Sequence, residues 1–220
     1  MTIVLTIAML GIMFAVFAAV GTQGLWSNVL VLVNTVLSAL VATNAYEPIA
    51  VRIHSSYPSF GYIADLIVVW GMFSLTFILL QLATGIASKT RVRFGSKFDQ
   101  IGGFVVSILT GWVLVCFTMM TLHTAPIERE AFGNALLPGA SSGFLGSVAP
   151  DRVWLATTQR LSRGKALGGQ DSDEPTFDPA GDFILRNAMR RHEYYETEPG
   201  LFAKRRWGDV IPYRKDTAKP

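Results

Sequence analysis

Charge is nearly missing from the first 88 residues of this chain, which carry only Glu47, Arg52 and Asp65. A water-soluble domain needs a polar surface, so this shortage excludes one for the first part of the chain. Cysteine is almost as scarce: Cys116 stands alone, which rules out an intrachain disulfide and a cysteine metal cluster. There is no P-loop, no dinucleotide fingerprint and no H-E-x-x-H, and no pair of carboxylates stands out as an acid–base couple. No cofactor and no metal are expected. Gly139-Ala140-Ser141-Ser142-Gly143 fits G-x-S-x-G in letters. A nucleophile elbow needs a strand before it and a helix after it, and here a linker precedes it. The net charge of +3 is small and concentrated in one loop, so nucleic-acid binding is not expected.

What the chain has is long apolar runs. Half of its 220 residues are hydrophobic and the mean hydropathy is +0.38. Four runs, at residues 3–20, 25–44, 61–87 and 101–122, are of the length that crosses about 30 Å of hydrocarbon as a helix. The expected fold is therefore an all-α integral membrane protein, with a four-helix transmembrane domain over residues 1–123. Residues 124–220 form a polar, partly helical extramembrane tail. A cleaved signal peptide is the rival reading of the first run, but only Met1 and Thr2 precede it and neither is basic.

Small residues recur on two of the spans. Gly11, Ala15 and Ala19 follow each other at spacing four on the first, and Gly103, Ser107 and Gly111 do so on the fourth. Each ridge is a candidate helix-packing surface, since minimal side chains let another backbone approach closely. Polar groups inside the spans are the other candidates. Asn34 and Ser38, with Ser27 and Thr35, share one face of the second span; Asp65 and Gln81 lie on the third. In hydrocarbon such groups need partners, so interhelical hydrogen bonding is the main reading of Asn34, Ser38 and Gln81. Asp65, about one turn into its helix, is either a proton-carrying carboxylate or an interfacial, solvated one.

The stretch 47–60 is too polar and too short to cross, and Pro48 and Pro58 are expected to interrupt it. His54 there and His123 at the end of the fourth span have no partner at motif spacing. The third loop holds Lys89, Arg91, Arg93 and Lys97 against Asp99, so it is expected in the cytoplasm, which places both termini outside it. The tail reads as two short helices, opened by Pro150-Asp151 and by Asp178-Pro179, among flexible segments at residues 138–146 and 168–175. Val153, Trp154 and Leu161, or Phe183, Ile184 and Met189, are expected to dock on the membrane or on each other. They are too few for an independent core. Lys204-Arg205-Arg206 with Trp207 is a candidate for acidic headgroups, or simply a solvated basic end.

The run DQIGGFVVSILTG, from Asp99 to Gly111, resembles the signature of the colicin V production (CvpA) family, D-x-x-x-G-x-x-x-G-x-x-R-G. Asp99, Gly103 and Gly111 match it; Ser107 replaces the middle glycine and Thr110 the arginine. The family's basic first turn is here GTQGLWSN, without charge. The resemblance implies a multi-pass protein of the bacterial inner membrane that serves as an accessory to toxin production and export or to envelope maintenance, with no catalytic step. Its expected partners are the lipid bilayer and further copies of itself or other envelope proteins. A rival function is a small oligomeric transporter or channel using Asp65, Asn34 and Gln81; another is an anchor for a partner-binding tail.

Overall fold

The computed structural model describes residues 3–57, 61–88, 95–127, 132, 136, 148–162, 177–178 and 180–196. Within helices, the side chains of His54, Gly61, Tyr62, Ser96 and residues 190–196 are not described. Lys89, Arg91, Arg93, the linker 138–146 with its G-x-S-x-G letters, the stretch 168–175 and the basic end 204–207 all lie outside the described residues.

Six helices follow in order: α1 Ile3–Val20, α2 Leu25–Ser56, α3 Gly61–Ala87, α4 Ser96–Thr124, α5 Pro150–Ser162 and α6 Phe183–Glu196. The first four are long and apolar enough to cross a membrane, so this is a mostly helical multi-pass membrane protein. Successive spans run antiparallel, which makes α2 and α4 parallel neighbours. Helix α4 is the hub. Helix α1 lies along it through Leu5, Met9, Val115 and Met119, and Phe17 meets Phe104 with ring centres 5.5 Å apart. Helix α2 packs against both α3 and α4.

Two features depart from the sequence expectations. Helix α2 runs straight through Pro48 to Ser56, where an interruption was expected. Proline inside a helix costs about 3 kcal/mol through a lost hydrogen bond and a clash with the carbonyl four residues back. Packing outweighs it here, because Ala39, Ala42, Tyr46 and Ala50 keep one buried face at helical spacing past the proline. At about 1.5 Å per residue, 32 residues measure roughly 48 Å, well beyond the hydrocarbon thickness. The end of α2 that carries Glu47 and Arg52 is therefore free to stand above the membrane.

The second departure is the tail. Trp154 and Leu155 of α5, with Phe177 and Phe183, belong to the same buried cluster as Ala42 and Tyr46 of α2, Val69 of α3 and Phe117 and Met120 of α4. Trp154 and Phe183, expected to dock on lipid or on each other, instead complete the bundle's own core, with Leu155 and Phe177 beside them. Val153 and Leu161 are turned outward, 40% and 43% exposed. Cys116, 2% exposed, is a packing residue in that core.

Candidate functional site

The chemistry-bearing residues fall into three places: the family-type face of α4, a polar seam between α2 and α3, and the junction of α4 with α5.

On α4, Asp99 occupies the first turn and its Oδ1 accepts a hydrogen bond from the backbone N–H of Leu25 at 3.0 Å. The first amides of a helix have no partner inside the helix, and a carboxylate both satisfies one and complements the positive end of the dipole. Asp99 thus caps α2 from another helix. Gly24 precedes Leu25 at φ +86°, a left-handed conformation that suits glycine; a Cβ there would stand 2.8 Å from Asp99 Oδ2. One turn along α4, Asn28 donates to the Gly103 carbonyl at 2.8 Å. A Cβ at Gly103 would lie 3.2 Å from Asn28 Nδ2 and 3.3 Å from the Gly24 carbonyl carbon. Ser107 is fully buried and returns its hydroxyl to the Phe104 carbonyl. Thr110, where the family signature has arginine, is buried and donates to the Val106 carbonyl. At Gly111 a Cβ would come within 3.2 Å of Met13 Cα, so here it is the α1 backbone that approaches. The Asp99–Gly111 face receives two different helices of its own chain.

The ridge on α1 is placed otherwise. Gly11, Ala15 and Ala19 are exposed, and nothing lies within 4 Å of a Cβ at Gly11. The two small-residue ridges do not meet.

Between α2 and α3, Asn34 is buried and its amide donates to Gln81 Oε1 and, at 3.0 Å, to Thr84 Oγ1. Nearer the α2 start, Trp26 donates its indole N–H to Ser88 Oγ at 2.9 Å. Ser38, on the same face of α2, is fully buried, and its hydroxyl finds no partner among the described residues. Asp65 is not solvated: it is 2% exposed, near the opposite end of α3. The 16 positions between Asp65 and Gln81 amount to roughly 24 Å along the helix. Asn34 and Gln81 come together, and Asp65 is not with them.

The third place carries a pair that spacing along the sequence does not reveal. His123 Nε2 lies 3.0 Å from Asp151 Oδ2, and both side chains are sealed, 1% and 2% exposed. His123, without a partner by sequence motif, is thus joined to the first turn of α5. Beside it, Trp154 donates to Thr43 Oγ1 at 3.0 Å and meets Phe117 edge-on. Asp178 holds the start of α6, its carboxylate accepting from the amides of Asp182 and Phe183, with Arg186 at 3.3 Å. Burial raises the Asp178 carboxyl above the ordinary carboxylate range, against the lowering by those amides and by Arg186. Among the described residues no three metal-ligating side chains gather.

The comparisons with known proteins are consistent with the signature on α4. Residues 5–147 match the model of a family described as Colicin V production protein. No curated protein and no solved structure matches the chain.

Proposed function

The chain belongs to the colicin V production protein family, and from that premise we propose that it is a non-enzymatic membrane accessory in toxin production and export or in envelope maintenance. It acts by assembling with other membrane proteins or with further copies of itself. The observation that carries this reading is the different use of the two small-residue ridges. Asp99, Gly103 and Gly111 hold α2 and α1 on α4 within the chain, while Gly11, Ala15 and Ala19 of α1 are exposed and leave a small-residue face open to another helix. The buried His123–Asp151 pair, closed to any substrate, favours the same non-catalytic reading. The bacterial inner membrane is the proposed location, with the third loop cytoplasmic and the N-terminus and tail outside.

The transporter reading gains less support, since the intramembrane polar groups form separate sets rather than one path. The anchor reading is weakened by the tail's share in the bundle core. The deciding experiment is complementation in cells that lack the chain and secrete a colicin V-type toxin. Gly11→Leu together with Ala15→Leu, on the exposed ridge of α1, should abolish toxin release and crosslinked assemblies at unchanged accumulation, while Asp65→Asn should support both. Normal release by the double ridge variant, or ion flux in liposomes that disappears with Asp65→Asn, overturns the proposal.

A further inference from the structure

Helix α5 keeps one side in the bundle and turns the other outward. Its inward residues are Asp151, Trp154, Leu155, Thr158 and Ser162. The outward side carries two rows at spacing four: Val153, Thr157 and Leu161 in one, Arg152, Ala156 and Arg160 in the other, all exposed. The one acid of the helix, Asp151, is buried on His123, so the outward side has an apolar edge and a basic edge with no acid between them. On a soluble protein two exposed aliphatic side chains would need no explanation. The depth at which α5 sits gives these a meaning.

Asp151 meets His123 in the last turn of α4, one turn beyond Met119. Met119 and Val115 pack against Leu5 and Met9 of α1. The first two turns of α1 thus stand at the depth where α5 begins, and there Ile3, Val4 and Ile7 are exposed. Helix α1 is apolar throughout and buries little of itself in the bundle, so its outward face lies in lipid. The bilayer therefore reaches the level of α5. Trp154 extends the same way: it meets Phe117, six positions before His123 and so about 9 Å deeper along α4. Around the helix axis the row of Val153, Thr157 and Leu161 borders Trp154, while the row with both arginines lies farther from it. The apolar edge is the deeper one and the basic edge the shallower. A bilayer presents acyl chains and phosphates in that same order.

We propose that α5 is a membrane-surface helix whose outward side lies in the headgroup layer of the bilayer. Val153, Thr157 and Leu161 point toward the acyl chains, and Arg152 and Arg160 toward lipid phosphates. This rests on the four spans lying in a membrane and not on the assembly reading above. Electron paramagnetic resonance tests it on the full-length protein in vesicles of phosphatidylethanolamine and phosphatidylglycerol. Nitroxide labels are attached one at a time through Val153→Cys, Leu161→Cys and Arg160→Cys in a Cys116→Ala chain. Oxygen gathers among the acyl chains and a nickel chelate stays in water, so the ratio of their effects on each label reports its depth. That ratio should be several-fold higher at Val153 and Leu161 than at Arg160. Chelate access that equals or exceeds oxygen access at Val153 and Leu161 places the helix in water and overturns the proposal. So does a label at Arg160 as deep as the other two. Labels at Val153 and Leu161 shielded from both reagents overturn it as well, by assigning the face to a second copy or another protein.

Discussion

His123 and Asp151 are 28 positions apart in the chain and 3.0 Å apart in space, and neither side chain reaches solvent. The bond ties the last turn of α4 to the first turn of α5 across a segment of more than twenty residues. Asp151→Ala leaves a buried imidazole nitrogen unmatched, which costs about 1–3 kcal/mol. Limited proteolysis in detergent should cut between residues 124 and 150 faster in this variant. Equal cleavage rates would show that the pair does not hold α5.

Trp154 contributes ring packing on Phe117 and a hydrogen bond to Thr43. Trp154→Ala should destabilise the bundle by about 3–5 kcal/mol, the usual cost of emptying a buried aromatic site. Trp154→Phe, which keeps the ring and loses only the N–H, should cost about 1 kcal/mol. Thermal unfolding of both variants in one detergent distinguishes this docked tail from a loosely tethered one, for which neither change would matter.

Two glycines on neighbouring helices, one packed and one exposed, should respond in opposite ways. Gly111→Ala drives a methyl group toward Met13 Cα and should cost about 1–3 kcal/mol as overpacking. Gly11→Ala enters open space and should be neutral, or stabilising by about 0.5–1 kcal/mol through helix propensity. A disulfide engineered between α1 and α4 should form less readily in Gly111→Ala alone.

Asp99 caps a helix to which it does not belong, so its removal is read on α2. Asp99→Ala should cost about 0.5–2 kcal/mol, the range for a lost N-cap, and Asp99→Asn distinctly less because the amide oxygen still accepts. Faster hydrogen exchange at Leu25 and Trp26 in Asp99→Ala is the local readout.

Asp178 supplies a pH dependence. Burial raises its folded-state carboxyl above the value in the unfolded chain, so the folded form holds the proton more tightly. The attachment of α6 is then fully favoured below the ordinary carboxylate range and weakens as pH rises through the raised value. Hydrogen exchange across α6 should accelerate with pH beyond its intrinsic trend in the wild type, and the excess should vanish in Asp178→Asn.

The four spans were legible because length and hydropathy decide a membrane helix almost alone: α1 and α3 have the bounds expected from their apolar runs. The end of α2 was not, because Pro48 reads as a breaker until the buried face of Tyr46 and Ala50 is seen to continue past it. The Asp99-to-Gly111 spacing indicated a close approach on α4, though not that α2 fills its start and α1 its end. Asp65 illustrates the limit of depth arguments, since one turn into a span is shallow along the axis and still enclosed when other helices reach as far. The His123–Asp151 pair left no periodic trace. What signal the tail carried was the apolar placing of Trp154 and Leu155 with Thr158 and Ser162 on one side of α5, which marks a buried face without saying against what.

The place of Trp154 between Thr43 and Phe117 also sets an order of events. Chains are made from the N-terminus, and α1 to α4 can enter the bilayer before α5 has left the ribosome. Until residues 150–162 arrive, α2 and α4 face each other across the unfilled seat of an indole, and close packing tolerates no such void for long. Helix α5 is the keystone of a bundle begun without it, and a chain stopped at Thr124 is an arch still on its scaffolding.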